Sequence, residues 1–269
     1  MGSSLPVHQK DFLWLNIREL PYFRGVLRAV EARFYQTIEL AEPVLDLGCG
    51  DGHFASVAFE KPLNVGLDPW WNPVKEAARR RTYHLTLRGS GADLPFGDES
   101  FASVVSNSVL EHIPNLEPVI RETARILKPG GLFVFCVPNH RFLESLSIAR
   151  FFDRLGLRFL AKPYRAFFNR ISRHYHCDDY STWKNRLEHI GFEVVRQWDY
   201  FSPRALAVLE WGHYFGLPSL ISRWLFKRWI LVNQPWNLIL TRKVCETVYH
   251  EPAEQPDGVY SFYIARKTC

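Results

Sequence analysis

The sequence predicts an α/β protein built on a doubly wound, mostly parallel sheet with helices on both faces. Three observations carry that prediction. Short apolar runs alternate with amphipathic helical stretches from Val44 onward. The first run breaks into a glycine-rich turn, Gly48-Cys49-Gly50-Asp51-Gly52. A chain of 269 residues with 47% hydrophobic content can also bury one full core.

Taken in order, the residues before about Ala41 read as one or two amphipathic helices, with Phe23, Val26, Leu27, Val30 and Phe34 on one face. Such a leading segment either covers a site or simply packs. Val44-Leu45-Asp46-Leu47 is a buried strand, and a helix follows the turn from about His53. Glycines at alternate positions admit positive φ and let a ligand approach the backbone. The helix start adds free N–H groups and the positive end of its dipole. On its own evidence the turn is a nucleotide-type site or a tight turn without ligand. Gly50-Asp51-Gly52-His53-Phe54-Ala55 matches a dinucleotide fingerprint. Asp46 and Asp51 bracket the turn, however, and would repel a pyrophosphate. They suit a ligand with a cationic end, such as the sulfonium and ammonium of S-adenosylmethionine.

Asn64-Val65-Gly66-Leu67-Asp68 is a second strand, ending in an acid that can accept both ribose hydroxyls of a nucleoside. Gly91-Ala92-Asp93-Leu94-Pro95-Phe96 puts Asp93 where it can accept from an adenine amino group. Ala102 to Asn107 is another strand, leading into Ser108-Val109-Leu110-Glu111-His112-Ile113. A helix from about Leu116 to Leu127 aligns Leu116, Val119, Ile120, Thr123 and Leu127 on one face. Lys128-Pro129-Gly130-Gly131 ends it in a turn. Leu132 to Val137, Phe192 to Arg196 and Val259 to Ile264 are the remaining strands.

The ordered set DLGCGDG, GLD, ADLPF, SNSVLEHI and KPGG resembles the class I S-adenosylmethionine-dependent methyltransferases, and among them the type 11 group, which includes quinone-biosynthesis methyltransferases. The resemblance covers about residues 40 to 140. Ala102 departs from it, since members commonly carry Asp there. It implies a Rossmann-like, seven-stranded sheet whose last strand is inserted antiparallel between two others. It also implies roles. The backbone of Gly48, Cys49 and Gly50 would contact the methionine portion, with Asp46 holding the turn or the amino group through water. A purely structural Asp46 stands beside that reading. Asp68 would hold the ribose, Pro69 and Trp70 would lie beside the adenine, and Ala92, Asp93 and Leu94 would bind its amino group and ring face. The backbone of Asn107 would approach the methionine moiety.

Composition narrows the remainder. Five scattered cysteines without CxxC spacing argue for reduced thiols and a cytoplasmic setting, against a disulfide framework or a zinc site. Met1 to Lys10 lacks the apolar core of a signal peptide, and Pro6 replaces the Ser or Thr of an acylation motif. No apolar run reaches the ~18 residues of a membrane span.

The organisation expected is an N-terminal helical cap (1–40), a cofactor-binding core (41–139, 180–202 and 257–269) and two helical insertions (140–179 and 203–256). Net charge is +5, and both insertions are basic. Arg141 to Arg173 holds eight basic residues against two acidic, and Pro203 to Lys243 holds six against one. Both are also rich in aromatic residues, among them Phe151, Phe152, Phe159, Trp211, Trp224 and Trp236. Trp and Tyr interleaved with Lys and Arg suit a helix lying on an anionic membrane surface. A lid with a solvated basic face reads equally well. Nucleic acid is disfavoured: no RNA-binding module is attached, and Asn107-Ser108-Val109-Leu110 is not the Asn/Asp-Pro-Pro-Tyr pattern used on exocyclic amino groups.

Methyl transfer to a hydroxyl or acidic C–H of a small-molecule or lipid-like acceptor needs a base. His112 is the first candidate and His140 the second, because imidazole titrates near neutrality and each follows a strand end. A histidine bonding loop backbone is the alternative for either. His174-Tyr175-His176-Cys177-Asp178 invites a metal, but adjacent ligands on one loop rarely close a site, so none is expected. Transfer to RNA and a non-enzymatic cofactor-binding partner protein are the other functional readings.

Overall fold

The computed structural model describes residues 10–268. The readings made on Met1 to Gln9, and the Cys269 thiol, lie outside them. Seven strands form one sheet: β1 Val44–Leu47, β2 Leu63–Asp68, β3 Tyr83–Arg88, β4 Phe101–Asn107, β5 Leu127–Pro138, β6 Phe192–Tyr200 and β7 Tyr260–Lys267. Their order is β3-β2-β1-β4-β5-β7-β6. The first five strands are parallel, while β7 runs antiparallel between β5 and β6. The doubly wound sheet with its inverted last strand is therefore present. The edge strand β3 has no counterpart among the strands read from sequence. Tyr83-His84-Leu85-Thr86-Leu87-Arg88 buries little beyond Tyr83, and its polar residues mask the apolar signal.

Central strands are apolar on both sides because helices cover both faces. The two-residue period of β5 divides its side chains between two cores. Phe133, Phe135 and Val137 pack with α5 (Glu117–Ile126) and α9 (Tyr180–His189). Val134 and Cys136 face the opposite core, with α1 (Phe12–Ile17), α2 (Tyr22–Phe34) and α3 (His53–Ala58). Each buried phenylalanine contributes roughly 1.5–3 kcal/mol by leaving water. α4 (Trp71–Arg80) links β2 to β3.

Two helical groups follow β5 and β6: α6 (Arg141–Glu144), α7 (Ser147–Arg154) and α8 (Arg158–Ser172), then α10 (Pro203–Phe215), α11 (Leu217–Phe226) and α12 (Ile239–Tyr249). A buried carboxylate joins them. Glu210 of α10 accepts from the Ser147 N–H and Oγ, both at 2.6 Å, and from the Tyr164 hydroxyl at 2.7 Å. It thereby satisfies free N–H groups at the start of α7, where the helix dipole also favours an anion. Part of the basic charge of the first group is spent internally, in Arg165–Asp153 (2.6 Å) and Arg141–Asp199 (2.7 Å).

α11 behaves differently. None of its residues is buried, and Leu217, Leu220, Ile221, Trp224, Leu225 and Phe226 are all exposed. Among the described residues no helix is long and apolar enough to cross a membrane.

A second buried acid positions α2. Glu31, fully buried, accepts from Arg28 (2.7 Å), the Asn107 side-chain amide, Ser108 Oγ (3.0 Å) and the Tyr200 hydroxyl (2.8 Å). One carboxylate thus ties α2 to the ends of β4 and β6. Removing it strands a guanidinium and three polar groups in the interior. Glu31→Ala should cost roughly 3–5 kcal/mol of stability in urea unfolding. A loss under about 1 kcal/mol would show that the network is incidental.

Candidate active site

The strand order reverses between β1 and β4, which opens a crevice at the carboxyl ends of the parallel strands. The glycine turn lies there. Gly48 and Cys49 donate their N–H groups to the Leu67 carbonyl at 2.8 and 3.0 Å. Gly48 takes φ +83°, and a Cβ on it would come within 2.4 Å of Val109 Cγ1. The turn therefore seats directly on the segment after β4. Gly50, at φ +55°, faces open space, with nothing within 4 Å of a Cβ built on it. That leaves an accessible backbone edge for a ligand.

Asp68 accepts from the Gly50 N–H (3.0 Å) and the Trp70 N–H (2.9 Å). Burial raises its pKa, against those two hydrogen bonds. Asp46 lies deeper and accepts from the Tyr83 hydroxyl at 2.6 Å. Burial pushes Asp46 up to about 7, with the Tyr83 bond opposing. This corrects one of the roles expected of Asp46, that of holding the turn: the turn is held by the Leu67 carbonyl and by Asp68, and the partner of Asp46 is the edge-strand tyrosine. Asp51 instead accepts from the His53 N–H at 3.1 Å, at the start of α3.

The other expected contacts divide. Pro69 and Trp70 project into solvent beside Asp68, Trp70 being 71% exposed. Gly91 packs against Leu47 at the end of β1, which brings exposed Ala92 and Asp93 to the rim of the crevice. Leu94 turns away. Its side chain is 3% exposed in the core beneath α5, its N–H goes to Glu122, and its carbonyl accepts from Arg125. This corrects its assignment to the adenine face. Asn107 is buried with its amide bonded to Glu31, which leaves its backbone at the strand end.

Beside the turn lies a cavity of about 320 Å³. Phe23, Arg24, Leu27 and Arg28 of α2 form one wall. Ser108, Glu111 and His112 after β4, with Arg173 and His174 after α8, also line the cavity. Gly48 of the turn seats on Val109, whose neighbour Ser108 lines the cavity, so cavity and glycine turn adjoin. His112 is here. His140 is not: it caps the start of α6, exposed and outside the cavity, which corrects its candidacy as a base.

The tautomer of His112 follows from its partner. Nδ1 lies 3.0 Å from the Arg173 carbonyl, which can only accept, so Nδ1 carries the proton. Neutral His112 therefore keeps its lone pair on Nε2, 3.8 Å from Glu111 Oε1. Burial lowers the pKa of His112, with the arginine charges assisting. Burial also raises Glu111 to about 8 and leaves its Oε2 without a partner. Glu111, His112 and His174 bring ligand atoms within 4.8 Å of one another, a set that can hold a cation. The arginines facing it oppose one. His176 turns instead to the Ile113 carbonyl at 3.1 Å.

Sequence reasoning missed Arg24, Arg28, Glu31 and Glu111 as site residues. The first three recur at i, i+4 and i+7, a polar stripe on a buried helix, which was the available signal.

These features define a class I, Rossmann-like fold with an adenosyl-type site. Residues 17–197 match a family model described as a methyltransferase domain, and the chain belongs to that family. A demethylmenaquinone methyltransferase of Tropheryma whipplei is 32% identical over 128 residues, covering 46% of this chain and 51% of that protein. A probable S-adenosylmethionine-dependent methyltransferase of Mycolicibacterium smegmatis is 35% identical over 138 residues, covering 51% and 49%. A probable tRNA methyltransferase of Mus musculus is 29% identical over 157 residues, covering 54% and 34%. The chain thus matches about half the length, or less, of these curated relatives. Geranyl diphosphate C-methyltransferase from Streptomyces coelicolor, crystallised with S-adenosyl-L-homocysteine, shares the fold at a TM-score of 0.55, with 15% identity over 93% of this chain and 85% of that one.

Asp46 supplies a pH test. Its folded pKa of about 7 exceeds the ~3.9 of an unfolded aspartate, so between those values the folded state holds the extra proton. Its contribution to stability is full below pH ~4 and is lost as pH rises toward 7. Urea unfolding at pH 5 and pH 8 should show Asp46→Asn flattening the decline by on the order of 2–4 kcal/mol. An unchanged slope would mean that Asp46 does not titrate in this window.

Proposed function

We propose that the protein transfers a methyl group from S-adenosylmethionine to an oxygen or carbon nucleophile of a small-molecule or lipid-like acceptor held in the cavity beside the glycine turn. The observation that carries this reading is the free Nε2 of His112 inside that cavity. S-adenosylmethionine, when bound, supplies an electrophilic methyl group on sulfur. The open edge of Gly50 and the carboxylates of Asp68 and Asp93 are the groups we assign to the nucleoside, and the acidic surroundings of Asp46 and Asp51 suit a cationic end.

The chain's own work is to orient the acceptor and take its proton. α2 and the segment after β4 hold the acceptor against the turn, where alignment supplies much of the rate. His112 accepts the proton at Nε2 as the nucleophile develops charge. The imidazolium returns that proton to solvent after transfer, and the nearby Glu111 carboxyl stays uncharged near pH 7 throughout. A hydroxyl or acidic C–H needs such a base, which favours O- or C-methylation over transfer to a free amine.

A labelled-methyl transfer assay on fractionated lipid, metabolite and RNA extracts tests this directly. Label should appear in a lipid or small-metabolite fraction. Asp68→Ala should weaken S-adenosylhomocysteine binding, and His112→Gln should leave that binding intact while cutting transfer by about 10²–10⁴-fold. Label confined to RNA would replace the acceptor class. Cofactor binding without transfer to any fraction would favour a non-enzymatic partner protein.

The exposed face of α11 supports peripheral contact with an anionic membrane. Trp224, 74% exposed, and five further apolar side chains accompany Arg223, Lys227 and Arg228. The protein should float with vesicles containing phosphatidylserine. Trp224→Ser combined with Ile221→Ser should abolish flotation, and equal retention by neutral vesicles would count against charge-assisted docking.

A further inference from the structure

The cavity is cationic, although the catalytic reading gives it no reason to be. Among the described residues, neither Arg24 nor Arg173 has a carboxylate within 4.0 Å, whereas Arg28 is paired with Glu31 at 2.7 Å. The one acid on the wall, Glu111, is raised by burial to about 8 and is uncharged near neutral pH. The three imidazoles do not compensate either. Burial lowers His112, His174 and His213, and His174 falls to about 3. They line the space as neutral rings, with His213 stacked on Phe23 at 4.0 Å. Formal charge on the wall therefore resides on guanidinium groups.

Arg24 lines the cavity with an exposed side chain and, among the described residues, has no ion-pair partner. Desolvation lowers its pKa with the Arg28 charge assisting, against the pull of Asp51. Arg223 of α11 adds further positive charge. A guanidinium in such surroundings gains most from a bound anion, and its planar donors match a carboxylate or phosphate two oxygens at a time. Between the arginines the wall is apolar, formed by Leu27, Phe142, Ile171 and Leu209.

We infer that the acceptor is an anionic amphiphile, whose carboxylate or phosphate is received by Arg24 and Arg173, with Arg28 behind them, and whose apolar body lies along Phe23, Leu27 and Phe142. This deepens the transferase reading and rests on it. The polarity also follows the chemistry. The acidic turn faces the cationic cofactor, and the basic wall faces an anionic acceptor, so each ligand meets the opposite charge.

Calorimetry on the full chain, saturated with S-adenosylhomocysteine, tests the inference with octyl phosphate, octanoate and octanol below their micelle concentrations. The charged probes should bind at least about tenfold more tightly than octanol. The better of octyl phosphate and octanoate identifies the head group. Arg24→Gln and Arg173→Gln should each weaken the charged probe by about tenfold, leave octanol unchanged and leave S-adenosylhomocysteine within about twofold. Arg24→Lys should recover part of the loss, and a wild-type-like thermal melt would exclude misfolding. Equal binding of octanol, or insensitivity to both arginine variants, overturns the inference. So does a variant that weakens S-adenosylhomocysteine instead, because the guanidinium would then serve the cofactor's own carboxylate. Failure of the wild type to bind S-adenosylhomocysteine at all would remove the transferase reading itself, and the inference with it.

Discussion

The Glu31 carboxylate is the constraint on which the site depends. It sits at no solvent boundary, and its donors come from α2, from the end of β4 and from the end of β6. A buried charge is tolerated only when its lone pairs are engaged, and here they are engaged by the parts that must be held in register. Apolar burial alone would let α2 slide or rotate along its amphipathic face. The carboxylate fixes one rotation, and that rotation turns Phe23, Arg24, Leu27 and Arg28 toward the strand ends. Specificity of placement, rather than net stability, is what this arrangement supplies. Glu210 does the same at the other end of the cavity wall, where it caps α7 and bonds Tyr164 of α8.

With α2 in place, electrostatics separates the crevice into two halves. Asp46, Asp51 and Asp68 lie around the glycine turn, and Arg24, Arg28 and Arg173 lie around the cavity beside it. The titratable groups between them are tuned toward neutrality: Glu111 upward and His112 downward, both chiefly by burial. In the proposed reaction only the imidazole takes the substrate proton, and the neutral carboxyl beside it adds no charge to the interior before that proton arrives.

How much of this the sequence disclosed depends on the range of each interaction. β1, β2, β4 and β5 were legible because a buried parallel strand writes a continuous apolar run, and the turn because only glycine tolerates the backbone of Gly48. The edge strand β3 was not, since one face of Tyr83–Arg88 meets water. The errors at the site share one cause. Leu94 and His140 were placed by their position in a motif or after a strand, but a side chain's direction is set by its neighbours in space. Leu94 is drawn inward by the α5 core, and His140 is turned outward as the chain enters α6. Glu31 was invisible as a hub because its most distant partner, Tyr200, lies 169 residues away and leaves no local pattern.

The same long-range logic connects α11 to the cavity. The junction of α10 and α11 presses on the cavity wall: a Cβ at Gly216 would approach Phe23 Cε1 to 3.2 Å, and Phe23 lines the cavity. Arg223, two turns into α11, is near enough for its charge to act on Arg24. An apolar helix with no buried residue is costly to leave in water, so its retention needs a compensating contact elsewhere. An acceptor with an apolar body resolves both features together. A molecule that resides in a membrane surface would reach Phe23 along the face α11 presents to that surface, with Arg223 and then Arg24 meeting its charged end in turn. If the membrane contact and the anionic acceptor proposed above both hold, the exposed helix and the cationic cavity are two stages of a single route to the methyl donor.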